Sequence, residues 1–364
     1  MASSFGDKIK FNIFGQSHGE AIGVVIDGLP AGEIIDLDEL DKFLDRRRTG
    51  KNALSTQRRE ADKPIFLSGV SELDDNNLIT CGSPLCAVIK NLNAKSQDYA
   101  EILDKPRPGH ADYTAYVKWQ GKADMRGGGH FSGRLTAPLC VAGGIAGQIL
   151  ARKNIFVGAH LLECASIRDK DFSDLALELD NNLFNSIADK AFPVIDDLQG
   201  EKMQQEILNA REEGDSVGGI IECAVINLDA GLGDPMFDGI ESKLAKVLFG
   251  VPAVKGVEFG AGFNAARLKG SENNDEFIII NNKVMTHSNN SGGILGGITN
   301  GMPVIFKAAI KPTPSISKPQ NTISLSKLEN SELKIKGRHD PCIAHRAVPV
   351  IEAAAACVIL DLIN

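Results

Sequence analysis

Residues 132–149 read SGRLTAPLCVAGGIAGQI, a run of small and apolar residues long enough for five helical turns. Four glycines and a proline lower its helix propensity. Such a segment keeps its shape only by close packing inside a core, so the rest of the chain must supply surfaces to enclose it. A second strongly apolar helix is expected over 347–363, at the end of the chain.

The flanking pattern is mixed. Strands are expected over 9–14, 24–27, 65–70, 86–92, 220–228, 254–259 and 303–310. A helix is expected over 36–48, where Leu37, Leu40 and Leu44 recur at helical spacing and Asp36 with Glu39 resembles a capping box. Its last turn is Arg46, Arg47 and Arg48, and Gly50 follows as a stop. Another amphipathic helix is expected over 238–249, with Ile240, Leu244, Val247 and Leu248 on one face. The stretch 169–213 is more polar, and partly helical surface structure is expected there. No Pro/Ser-rich linker divides the 364 residues, so one domain over 1–364 is favoured although length alone suggests two.

No run of about 18 uninterrupted apolar residues is present, which argues against a membrane span. The first twenty residues lack an apolar leader region, so no secretory signal is expected. Seven scattered cysteines without a CxxC pair read as free thiols of a reducing, cytoplasmic compartment.

The formal charge of −8 argues against a broad nucleic-acid surface. Yet positive charge is clumped. Of fourteen arginines, ten fall in short glycine-bearing stretches: Arg46, Arg47, Arg48, Arg58, Arg59, Arg107, Arg126, Arg134, Arg338 and Arg346. The guanidinium fork suits carboxylate and phosphate oxygens, so the set points to a small polyanionic ligand. For Arg46, Arg47 and Arg48 alone, complementing a helix C-terminus is an equally good account.

Three loops carry further chemistry. In RGGGHFSGR (126–134), three glycines let backbone N–H groups approach a ligand, and Ser132 can cap the following helix or meet an anion. In KPTPS (311–315), one cation and two hydroxyls sit on a proline-stiffened turn. His18 in GQSHGE and His110 in RPGHAD lie in compact polar loops, where an imidazole can exchange a proton near neutrality. The run SGGILGGI (291–298) is not GxGxxG after a strand, so a dinucleotide fold is not supported. His339, Asp340, Cys342 and His345 match no standard closed zinc site.

Taken in order, the blocks GQSHGEAIGVVIDGLPAG, RRRTG, TQRREAD, SQDY, RPGHADYT, RGGGHFSGRLTA, GDSVGG, GLGDPMFD, VKGVEFGAGF, SGGILGGITNG, KPTPSI, GRHDPC and RAVPVIEA resemble the chorismate synthase family over nearly the whole chain. The resemblance implies an α+β fold, a single-domain β-α-β sandwich with helices between antiparallel sheets, and a homotetramer. It implies an anti-1,4-elimination of phosphate and a C6 hydrogen from 5-enolpyruvylshikimate 3-phosphate, giving chorismate, with reduced FMN required. It assigns His18 to protonating the departing phosphate, His110 to protonating the flavin near N1, and Asp340 to assisting deprotonation through flavin N5. FMN contacts are expected from His130, Phe131, Ser132, Pro252, Ala253, Gly296, Lys311, Pro312, Thr313, Pro314, Ser315 and Arg338. Substrate or NADPH contacts are expected from Ser17, Arg47, Arg48, Arg107, Arg134 and Arg346.

The chain departs from the family pattern at Gln16, Ala53, His130, Phe131 and Leu135. Weaker NADPH contact follows, hence a monofunctional enzyme supplied with FMN already reduced at the expense of NADPH by a separate reductase. Two other classes stay open on the residues alone. One is a metal-dependent phosphohydrolase using His18, His110, Asp112, His339 and Asp340; the other is a non-catalytic phosphoanion-binding module.

Overall fold

The computed structural model describes residues 3–48, 54, 61–92, 104–335 and 340–364. Two five-stranded antiparallel sheets enclose a helical layer. The first sheet runs Ser4–Phe5, Lys10–Gly15, Ala21–Asp27, Leu85–Lys90, Ile65–Ser68 in spatial order. The second runs Ile167–Arg168, Phe156–Cys164, Gly219–Ile226, Val304–Ile310, Val254–Phe259. The Thr136–Arg152 helix packs on the first sheet and on the closing Ala344–Ile363 helix, which in turn packs on the second sheet. This is the α+β sandwich the resemblance implies. One hydrophobic cluster runs through both sheets and both helices, from Ile9 to Leu360.

The small-residue helix is buried on nearly every side. Gly143 faces Ala353 so closely that a Cβ there would overlap the Ala353 backbone, and Gly144 faces Leu40 and Phe43. The glycines that weaken the helix in isolation are therefore what lets the two helices touch. The extended segment Gly133–Arg152 has a mean hydropathy of 1.3, enough by length and composition to cross a membrane. The sequence reading of no such run is corrected to that extent. Its window is 89% buried inside the protein, which makes it a core helix.

Polar side chains fasten the layers. The Gln148 amide exchanges two hydrogen bonds with the Asp36 backbone, at 2.8 and 2.9 Å. Asp361 accepts from the backbone N–H groups of Asp7, Lys8 and Ile9, pinning the last helical turn beneath the first sheet.

The helix expected over 36–48 is Leu37–Asp45, with Asp36 capping the Glu39 N–H at 2.9 Å; Gly50 lies outside the described residues. The strand expected over 65–70 is split into Ile65–Ser68 and Val70–Glu72, because Gly69 takes φ +82° against the Leu85 backbone. The polar stretch 169–213 forms two helices, Asn181–Ala188 and Asp197–Glu212. It is less superficial than expected, since Phe172, Phe184, Ile187, Met203 and Ile207 are buried.

Candidate active site

The two loop histidines meet across the glycine turn. A Cβ placed on Gly127 would stand 2.5 Å from His18 Cδ2, 2.6 Å from its Nε2 and 2.8 Å from Ser17 Oγ. A Cβ placed on Gly128 would stand 3.3 Å from His110 Nε2. Glycines 127, 128 and 129 have φ of +61, +89 and +57°, which side-chain-bearing residues seldom adopt. Positive φ and missing Cβ atoms therefore both serve to bring the backbone against two imidazoles. Ser17 N–H donates to the Gly129 carbonyl at 3.0 Å and closes the turn. Ser17 and His18 are buried, at 4 and 7% exposure.

His110 is held by its own loop. Its Nδ1 lies 2.7 Å from Asp112 Oδ1. Arg107 grips the same carboxylate from Nε at 2.7 Å and Nη2 at 2.8 Å. Its Nη2 also stands 3.2 Å from His110 Nε2, and its Nη1 donates to Ser315 Oγ at 3.2 Å. Burial opposes ionisation of Asp112, but hydrogen bonds from Arg107 and His110 outweigh it and hold the carboxyl well below the usual range. An ionised Asp112 orients the ring with Nδ1–H toward itself and leaves Nε2 toward the glycine turn.

The KPTPS loop joins this cluster. Lys311 Nζ donates to the Gly109 carbonyl. Burial first, and then the nearby Lys255 ammonium, lower the Lys311 pKa. The Thr313 hydroxyl is buried without a hydrogen-bond partner, a group that costs free energy unless a ligand meets it. Lys311 N–H donates to the Ala253 carbonyl at 3.0 Å, which brings residues 252–253 alongside, with Ala253 at φ +76°.

A second cluster is built on Asp62. Its carboxylate receives Arg47 Nη1 at 2.6 Å and also Arg134 Nη1, with all three side chains buried. Arg47 also donates to Thr136 Oγ1 at 2.9 Å. Arg346 donates to the Arg47 carbonyl at 3.1 Å and to Asp340 at 2.8 Å. Asn91 connects the two clusters: it accepts from Arg134 Nε at 3.1 Å and donates to the Gly19 carbonyl at 2.9 Å.

Other expected contacts sit differently. Arg48, just past the end of the Leu37–Asp45 helix, is paired back to Asp41 at 2.5 Å, and Arg46 forms a bidentate pair with Glu352 at 2.5 and 2.7 Å. His130 is exposed between Ser3 Oγ, at 2.7 Å, and the Gly15 carbonyl, at 2.8 Å. The Phe131 ring lies 5.7 Å from Trp119, and Ser132 caps the Arg134 N–H at 3.2 Å. Gly296 forms an exposed hairpin tip at φ +62°. Arg58, Arg59, Arg338 and His339 lie outside the described residues. Among the described residues no three His, Cys, Asp or Glu side chains converge as metal ligands.

Sequence reading overlooked Asp62, Asn91 and Lys255, and gave Asp112 only a metal role. An acid within three residues of a basic pair, as in QRREAD, is the signal that could have found Asp62.

The chorismate synthase family model matches residues 9–363. A chorismate synthase of Dehalococcoides mccartyi is 46% identical over 362 residues, spanning all of this chain and 96% of its own. One from Korarchaeum cryptofilum is 45% identical, spanning 98% and 96%. A crystal structure of chorismate synthase superposes with a TM-score of 0.75 at 26% identity, covering 98% of this chain and 92% of that one. Sequence, fold and the order of the motif loops agree, and the chain belongs to the chorismate synthase family.

Proposed function

We propose that this chain is a carbon–oxygen lyase acting on a phosphate ester. It eliminates phosphate and a C6 hydrogen, in the anti-1,4 sense, from 5-enolpyruvylshikimate 3-phosphate to give chorismate, and reduced FMN is required. The observation that carries the reading is the placement of His18 and His110 on one glycine turn, beside a cationic loop with an unmet buried hydroxyl.

The residues fit a flavin phosphate and ring: Lys311, Thr313 and Ser315 would hold them, with the backbone of residues 127–132 and 252–253 alongside, and Gly296 and Arg338 as expected further contacts. When bound, reduced FMN supplies electron density to the allylic system as phosphate leaves and recovers it as the hydrogen goes.

His18 serves as general acid to the departing phosphate from a buried position behind Gly127. His110 presents Nε2 over Gly128, its ring fixed by Asp112 and Arg107. Asp340, placed by Arg346, is the candidate for assisting hydrogen removal. Arg47, Arg134 and Arg346 form the cationic wall for a substrate carrying one phosphate and two carboxylates.

The enzyme is proposed to be cytoplasmic, in keeping with seven free thiols, and homotetrameric. Exposed Tyr113, Tyr116 and Trp119 on the Asp112–Trp119 helix supply an apolar face for assembly.

The test is anaerobic incubation with 5-enolpyruvylshikimate 3-phosphate and dithionite-reduced FMN, following chorismate absorbance. Turnover is expected with reduced flavin and none with oxidised flavin; absence of product beside an active control enzyme overturns the reading. NADPH-driven FMN reduction by the purified protein alone would refute the monofunctional assignment.

A further inference from the structure

The Phe156–Cys164 strand ends in a buried thiol, and the Ala344–Ile363 helix begins two residues after another. Cys164 Sγ and Cys342 Sγ lie 3.9 Å apart, both fully buried, although 178 residues separate them in sequence. The two sulfurs share a hydrogen bond, and this contact first, with His345 and the Ala344 N–H beside it, holds Cys342 below the ordinary thiol range against its burial. The same contact pushes Cys164 up. Phe192 stacks on His345 at 5.7 Å and fixes the ring. Cys140, Cys223 and Cys357 are each raised by burial, Cys140 to about 12, which leaves them inert. The pair is therefore chemically distinct from the other core thiols.

Its surroundings reach the candidate site. The Pro341 carbonyl accepts from Val217 N–H at 2.8 Å. The neighbouring Ser216 hydroxyl donates to the Thr313 carbonyl at 2.7 Å, on the KPTPS loop. Asp340 and Arg346 flank the same turn, joined at 2.8 Å.

We propose that Cys342 and Cys164 form a peroxide-sensitive dithiol that closes to a disulfide under the Asp340 turn. The Cys342 thiolate attacks one oxygen of hydrogen peroxide, giving a sulfenic acid and hydroxide. Cys164, deprotonated by that hydroxide to give the first water, attacks the Cys342 sulfur; the S–O bond breaks, the S–S bond forms, and the hydroxide that leaves takes up the proton Cys342 released on ionising, giving the second water. Two thiols lose two electrons, and one peroxide becomes two waters. An S–S bond is about 2.05 Å long, so the sulfurs must close by about 2 Å. Burial makes the reaction wait on local opening of the first turn of the closing helix, so it is slower than oxidation of exposed Cys81.

The experiment treats the full-length protein, carrying Cys81→Ser, with hydrogen peroxide. Free thiols are then blocked, and the protein is digested without reductant and analysed by mass spectrometry. A Cys164–Cys342 linked peptide that dithiothreitol removes is expected, with a matching reversible loss of activity. In Cys164→Ala the link is expected to vanish and Cys342 to be trapped by dimedone as the sulfenic acid; Cys164→Ser serves if the alanine variant folds poorly. His345→Gln is expected to slow the oxidation. Recovery of Cys342 fully reduced, under peroxide that fully oxidises Cys81 in the wild-type chain, would overturn the proposal. So would a link that forms only after denaturation.

Discussion

The contact between Gly127 and His18 is the most direct handle on the proposed chemistry. In Gly127→Ala, the new methyl would stand 2.5–2.6 Å from the imidazole, where ordinary contact begins near 3.4 Å. The ring must withdraw by about 1 Å, and a misplacement of that size costs on the order of 10²-fold in rate. Alanine at φ +61° adds about 1 kcal/mol of backbone strain. The expected phenotype is a folded protein, about 1–2 kcal/mol less stable, with kcat down on the order of 10²-fold. The assay is anaerobic chorismate formation with reduced FMN, paired with urea unfolding. Because the loss runs through one imidazole, Gly127→Ala combined with His18→Ala should be no slower than His18→Ala alone. Two outcomes would refute the reasoning: near-wild-type kcat in Gly127→Ala, or losses that simply multiply in the double variant.

Gly143→Ala is expected to cost about 3 kcal/mol in urea unfolding, because its methyl meets the Ala353 backbone. Gly147→Ala, four residues on and facing open space, should instead stabilise by about 0.5–1 kcal/mol. Asp62→Asn strips the shared counter-ion from two buried guanidinium groups and should cost about 3–5 kcal/mol, read in the same unfolding assay. Asp112 ionises at lower pH folded than unfolded, so its contribution is present above about pH 3.9 and fades as pH falls toward its folded value. Urea midpoints between pH 3 and 6 should therefore fall more steeply with acid in the wild type than in Asp112→Asn, and parallel curves would contradict this.

Periodicity made the helices and most central strands legible, because burial on one face writes itself into spacing. The 254–259 strand and the buried face of Ile240, Leu244, Val247 and Leu248 appear as read. The short hairpins Phe277–Ile280 with Lys283–Thr286, and Gln320–Ser324 with Glu329–Leu333, were not legible. Their residues are mostly exposed, so no core pattern marks them. The site was legible as separate loops. His18, Gly127 and His110 each stood out, but their meeting depends on a hairpin loop, a glycine turn and a helix entry that are distant in sequence.

The arginines change meaning most. Clustered positive charge in an acidic chain suggested free forks waiting for an anion, yet every described member of the set is within reach of a carboxylate of its own chain. Arg46, Arg48 and Arg126 are accounted for structurally by Glu352, Asp41 and Asp124. Arg47 and Arg134 differ, because both are buried and both reach the one Asp62 carboxylate, which sets their forks side by side. Asp62 itself takes φ +45°, an uncommon conformation for a non-glycine residue. The shared carboxylate thus holds the two forks in place, so an incoming polyanion would meet them without having to order the cations first.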